Sequence, residues 1–137
     1  MAEVIQIAER RRRVAEIGLP IFPDRPTVHE NIDKLLDIAS LGDNWNGYGA
    51  VPFSRGLIVK ACLIVRELCV QPEIFPTAAN TLQLEYDKAN GDYLEIQLGD
   101  NEESEVFELK HGEPGQYFRV RSEALSMNVV VNRFYER

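Results

Sequence analysis

The chain of 137 residues is 45% hydrophobic and 27% charged, with a formal net charge of −7. This composition is typical of one soluble globular domain and excludes a wholly disordered chain. The acidic balance disfavours nucleic acid as a partner, because neutralising phosphates needs a basic surface. The longest mainly apolar run, residues 57–70, is interrupted by Lys60, Arg66 and Glu67, so no membrane span is predicted.

Residues 2–17 predict a short amphipathic helix. Four consecutive arginines cover most of its circumference and place it on the surface, namely Arg10, Arg11, Arg12 and Arg13. Three prolines in residues 18–26 then predict a stiff linker. We therefore expect an N-terminal arm, 1–26, with a net charge of +1, followed by a single domain, 27–137.

Two helices are predicted next. Thr27 and Glu30 have the spacing of a capping box, and Ser54 can cap a second helix of about 55–70 that is apolar on nearly every side. Cys62 and Cys69 lie two turns apart in that helix, beyond disulfide reach. We interpret them as small buried hydrophobes in a reducing cytoplasm, since no secretory signal follows Met1.

From Thr81 onward, apolar and polar residues alternate, which predicts four half-buried strands in an antiparallel meander with one wet face. The spacing of Met127, Val130, Val131 and Phe134 predicts a C-terminal helix. The expected fold class is α+β, with two or three helices packed on one face of a four-stranded sheet.

The strand pattern also predicts which residues face each other. Leu84 pairs with Ile96 if both are to be buried, and Glu85 then lies opposite Glu95, an unfavourable pair of like charges. A second hairpin with Ile96 opposite Leu109 brings Glu95 to Lys110.

The third hairpin can bring Glu108 to Arg119. Acidic residues of the first two strands then meet basic residues of the last two, among them Arg119 and Arg121. The face is a solvated surface with compensating charges, a charged binding surface, or the site of a Glu85/Glu95 acid–base pair.

The segment Asn44–Ala50, here called the Trp45 loop, contains the only tryptophan of the chain together with a tyrosine and two glycines. One interpretation is that Trp45 and Tyr48 close one end of the core while Asn44 and Asn46 satisfy turn amides. The other is a recognition loop, because tryptophan and tyrosine are favoured interface anchors.

No catalytic or ligand-binding motif in the sequence predicts an activity. His29 and His111 lack the spacing of metal ligands, and no phosphate-binding loop or nucleophile motif is present. We therefore expect no catalytic residue, no metal and no cofactor, and an enzyme is less expected than a binding protein.

The loop Asn44–Ala50, Pro76-Thr77 and the Leu-Glu-rich pairs of residues 82–86 and 94–96 resemble a group of small uncharacterised bacterial and mobile-element proteins. These carry a similar Trp-Asn/Asp-Gly-Tyr-Gly-Ala loop before such strands. The resemblance covers residues 40–98 and implies no mechanism.

The leading hypothesis is a non-catalytic cytoplasmic module that binds another protein, in an antitoxin-like, immunity or anti-defence role. Its candidate contacts are the Trp45 loop, the charged sheet face and the N-terminal arm, which could also form a homo-oligomer. One alternative is a small hydrolase or nucleotide-processing enzyme using Glu85 and Glu95. Another is a nucleic-acid-binding regulator acting through Arg10 to Arg13.

Overall fold

The computed structural model describes residues 25–136. The predicted helix over 2–17 and its four arginines lie outside this range. The described chain forms three helices and one five-stranded antiparallel sheet, an α+β architecture. Its elements are α1 (Val28–Ala39), α2 (Arg55–Glu67), β1 (Glu73–Pro76), β2 (Leu82–Asp87), β3 (Tyr93–Leu98), β4 (Glu103–Leu109), β5 (Gln116–Arg121) and α3 (Ala124–Glu136).

The helix starts follow local capping chemistry. The Thr27 hydroxyl accepts from the Glu30 amide at 3.0 Å, and the Glu30 carboxylate accepts from the Thr27 amide, which completes the predicted capping box. The Ser54 hydroxyl accepts from the Leu57 amide at the start of α2. The predicted C-terminal helix is confirmed as α3.

The prediction of four strands is wrong by one. The sheet order is β1-β2-β3-β4-β5, and the additional strand is β1 at the edge. It is only four residues long and ends in Pro76. Proline cannot donate to a strand ladder but is tolerated at a sheet edge, so the prolines at 72 and 76 conceal this short strand in the sequence pattern.

The hydrophobic core unites one face of the sheet with the helices. Alternate residues of β2 and β3 are fully buried there, among them Leu84 and Ile96, in one cluster with Leu35 of α1, Val65 of α2 and Val131 of α3. None of the helices in residues 25–136 is long and apolar enough to cross a bilayer.

The register of the first hairpin is confirmed. Leu84 pairs with Ile96 and Glu85 with Glu95. The predicted second register is wrong, because Ile96 pairs with Val106 and Glu95 with Phe107.

The third predicted register is also wrong. Glu108 is buried and pairs with Gln116, while Arg119 lies opposite Glu105. The expected compensation between Glu95 and Lys110 therefore does not form. The physical reason is that β4 turns Ser104, Val106 and Glu108 inward and leaves Phe107 on the outer face.

A buried polar contact fixes the position of β1. The side chain of Asn31 on α1 is 1% exposed, and its Nδ2 donates to Gln71 Oε1 at 3.0 Å and to the Pro72 carbonyl at 2.9 Å. Gln71 Nε2 donates in turn to the carbonyls of Val65 and Leu68 at the end of α2. These bonds hold α1, α2 and the segment leading into β1 together, and they leave the amide hydrogens paired.

We predict that Asn31→Ala lowers the free energy of unfolding by about 2–4 kcal/mol, because buried acceptors on Gln71 and Pro72 lose their donor. Urea denaturation measures the change. Asn132→Ala, at an exposed position of α3, is the matched control and should change stability by less than about 0.5 kcal/mol. Equal effects of the two substitutions would contradict the assignment.

Candidate functional site

The indole of Trp45 is part of the packed structure. It is partly buried against the hydrophobic core, with its ring centroid 5.9 Å from that of Phe53. Its Nε1 donates to the Val51 carbonyl at 3.0 Å. Both the apolar surface and the polar atom of Trp45 are therefore used within the chain.

The rest of this loop is held by its two asparagines. Asn46 Oδ1 accepts from the amides of Tyr48 and Ala50, at 2.8 and 3.1 Å, and Asn44 Oδ1 accepts from the Gly49 amide at 2.6 Å. Gly49 has a φ of +86°, which favours glycine. Tyr48 is 93% exposed, so the rigid loop presents one aromatic side chain to solvent.

The outer face of the sheet, opposite the core, carries a second set of candidates. Glu73 of β1 lies opposite Glu85 of β2, and Glu85 lies opposite Glu95 of β3. These three glutamates form the acidic row. Residues directly opposite in antiparallel strands have Cβ atoms about 4.5–5.5 Å apart, so the charges repel.

The hydrogen bonds of the acidic row come from neutral donors. Gln83 Nε2 donates to Glu85, and Tyr93 Oη donates to Glu95 at 2.8 Å. None of the ion pairs within residues 25–136 involves a carboxylate of the row. Arg25 lies nearby, but its guanidinium donates to the Glu85 carbonyl and pairs with Asp87 at 3.1 Å. The repulsion is thus not neutralised by the described residues.

Three aromatic rings continue the same face beside the acidic row. The Phe107 centroid lies 6.3 Å from that of Tyr93 and 4.8 Å from that of Tyr117, and Tyr117 is 78% exposed. These residues form the aromatic trio. Burial, the hydrogen bond to Glu95 and the charge of Glu85 together raise the pKa of the Tyr93 phenol and so favour its protonated, hydrogen-donating form.

Arg119 and Arg121 lie farther along the outer face, on β5. They stand opposite Glu105 and Glu103, and both line an open concavity of about 620 Å³. Arg121 also approaches Glu123 at 3.7 Å. These arginines are separated from the acidic row by β4, so the structure places the predicted charged residues in two distinct regions of one face.

Sequence patterns alone do not predict Glu73 or the aromatic trio as site residues. Glu73 belongs to the row only because β1 pairs with β2. The side chain of Phe107 points away from the core although it is hydrophobic. The alternation of Glu73 and Phe75 with buried Ile74 was the available signal. Within residues 25–136, no group of three His, Cys, Asp or Glu side chains is arranged to hold a metal ion.

Comparisons with protein-family models, with curated proteins and with solved structures find no match.

We predict opposite roles for two neighbouring residues of the Trp45 loop. Asn46→Ala should lower the free energy of unfolding by about 1 kcal/mol, because two amides lose their acceptor. Tyr48→Ala should change it by less than about 0.5 kcal/mol. Chemical denaturation of both variants checks this, and a larger loss for Tyr48→Ala would show that the tyrosine is structural.

In a background that carries Arg10→Gln, Arg11→Gln, Arg12→Gln and Arg13→Gln, which removes the chain's own run of arginines as counter-charges, Glu85→Gln should raise the free energy of unfolding by about 0.2–1 kcal/mol, because it removes the charge that faces two others. The substituted amide keeps an oxygen to accept from Gln83. Glu105→Gln makes the same charge change on the same face but removes attraction to Arg119, so it should not stabilise. Thermal and urea unfolding at low salt compare the two, and equal shifts would indicate an effect of net charge alone.

Proposed function

We propose that the protein is a non-catalytic protein-binding module whose outer sheet face receives a basic segment of another polypeptide. The observation that supports this most directly is the acidic row, three cross-strand carboxylates without an ion-pair partner among residues 25–136. Arginine and lysine side chains would relieve this repulsion, and charge-assisted hydrogen bonds to carboxylates are the strong ones.

The aromatic trio supports a polypeptide rather than a lone cation. Exposed Tyr117 and the Phe107 ring offer apolar surface next to the acidic row, and aromatic side chains are enriched at protein interfaces. Guanidinium groups also stack on aromatic rings. A segment that alternates basic and apolar residues would match both parts of the face.

Binding accounts for this arrangement better than acid–base catalysis. Acid–base catalysis needs a concave site that encloses the substrate between its catalytic groups. Glu85 and Glu95 instead lie on the outer sheet face, and neither lines the concavity of about 620 Å³ beside Arg119 and Arg121. An antitoxin or an immunity protein blocks another protein by binding it. An acidic surface suits this role when the target is basic.

The test is fluorescence anisotropy with a labelled peptide of alternating arginine and leucine. We expect the full chain to bind it, and Glu85→Gln/Glu95→Gln to weaken binding at least about tenfold, which is about 1.4 kcal/mol. Tyr117→Ala should weaken binding as well. The expected affinity falls with salt, because exposed charges are screened.

Glu67→Gln/Glu136→Gln is the matched control, since it makes the same charge change at exposed positions of α2 and α3, the helices that pack on the opposite face of the sheet. It should leave the affinity within about twofold. An equal loss in the control would overturn the proposal. Failure of the peptide to bind both the full chain and its Arg10→Gln/Arg11→Gln/Arg12→Gln/Arg13→Gln variant would overturn it as well.

A further inference from the structure

We infer that the arginine run of the same chain, Arg10 to Arg13, docks on the outer sheet face and competes there with partner segments. The inference rests on the proposed function, since it names the segment that regulates the same surface. Three observations carry it: where the described chain begins, how far the preceding residues reach, and which charges and apolar groups the two parts carry.

The described chain begins beside the acidic row. Arg25 donates to the Glu85 carbonyl at 3.0 Å and pairs with Asp87 at 3.1 Å. Its guanidinium also lies 5.8 Å from the centroid of the Tyr86 ring. Arg25 is therefore anchored at β2, the strand that carries the middle glutamate of the row.

The distance is easily spanned. Arg25 follows Arg13 by 12 positions, and an extended chain covers up to about 40 Å over that length. A five-stranded sheet is about 20 Å wide, since strands lie about 4.8 Å apart. The arginines can therefore reach any strand of the outer face.

The two parts are complementary in chemistry. Residues 1–26 have a net charge of +1 while the remainder of the chain has −8. Val4, Ile7 and Ala8 add apolar residues just before the arginines. The outer face offers carboxylates in the acidic row and apolar rings in the aromatic trio. A tethered segment also benefits from an effective concentration in the millimolar range.

A double-mutant cycle on the full chain tests the contact without any added ligand. The four changes Arg10→Gln, Arg11→Gln, Arg12→Gln and Arg13→Gln should lower the urea midpoint of the wild type. They should have no effect in a Glu85→Gln/Glu95→Gln background, because the contact is already lost there. Arg55→Gln/Arg66→Gln, two exposed arginines of α2, is compared with Arg11→Gln/Arg12→Gln as the charge-matched control.

The arginine–leucine peptide then separates the inference from the proposed function. The four-arginine variant should bind the peptide at least about tenfold more tightly than the wild type. Equal affinities together with an additive cycle would overturn the inference and leave the proposed function standing. Peptide binding by neither protein would overturn the proposed function, whatever the cycle shows.

Sedimentation at rising protein concentration identifies the chain that supplies the arginines. We expect a monomer and a cycle that is independent of concentration. A dimer that disappears in the four-arginine variant would overturn docking within one chain, because the segment would then belong to a second copy.

Discussion

The pleat of β2 and β3 is the constraint on which the outer face depends. Successive side chains of a strand point to opposite faces, so burying Leu84 opposite Ile96 forces Glu85 opposite Glu95. The same rule carries over to β1, where buried Ile74 opposite Leu84 sets Glu73 against Glu85. A slip of one residue in any of these three strands would turn that strand's glutamate into the core, at a high cost of desolvation. The acidic row is therefore held in place by the core behind it.

The contribution of β1 depends on a different kind of interaction. A four-residue edge strand has little apolar area of its own, and the Asn31–Gln71 contact fixes the chain just before it. Because both amides are buried and paired, the segment cannot shift without leaving polar groups unsatisfied. The outer face thus combines a register set by hydrophobic burial with an edge set by hydrogen bonding, and both make it rigid before any partner arrives.

The β2–β3 hairpin could be predicted from sequence because core pattern and turn chemistry agree. Gly91 has a φ of +98° in a short turn where Lys88 pairs with Asp92, and this permits the even register that the core requires.

The other hairpins could not be predicted because such signals conflict or are missing. In β4, hydrophobicity favours Phe107 inside. The structure instead buries Glu108 and a Ser104 hydroxyl that hydrogen-bonds to Ser122 at 2.7 Å. The outward ring of Phe107 packs against Tyr93 of β3 and Tyr117 of β5. Only the assembled sheet brings these three rings together. The composition of the Trp45 loop is enough to single it out in the sequence. Its hydrogen bonds, however, show that Trp45 and Asn46 stabilise the loop itself.

Binding of a basic segment is favoured because the charge repulsion on the outer face is present in the free protein and relieved in the complex. A strand pair that opposes like charges is less stable than the same pair with neutral amides, and no demand of the core requires glutamate at outward positions. The repulsion is relieved when a cation arrives, and that relief adds to the affinity. If the chain's own arginines already supply it, a partner must outcompete a tethered segment at millimolar effective concentration. The same face would then reject weakly basic peptides and select strongly basic ones, because only the latter gain more than the arm provides.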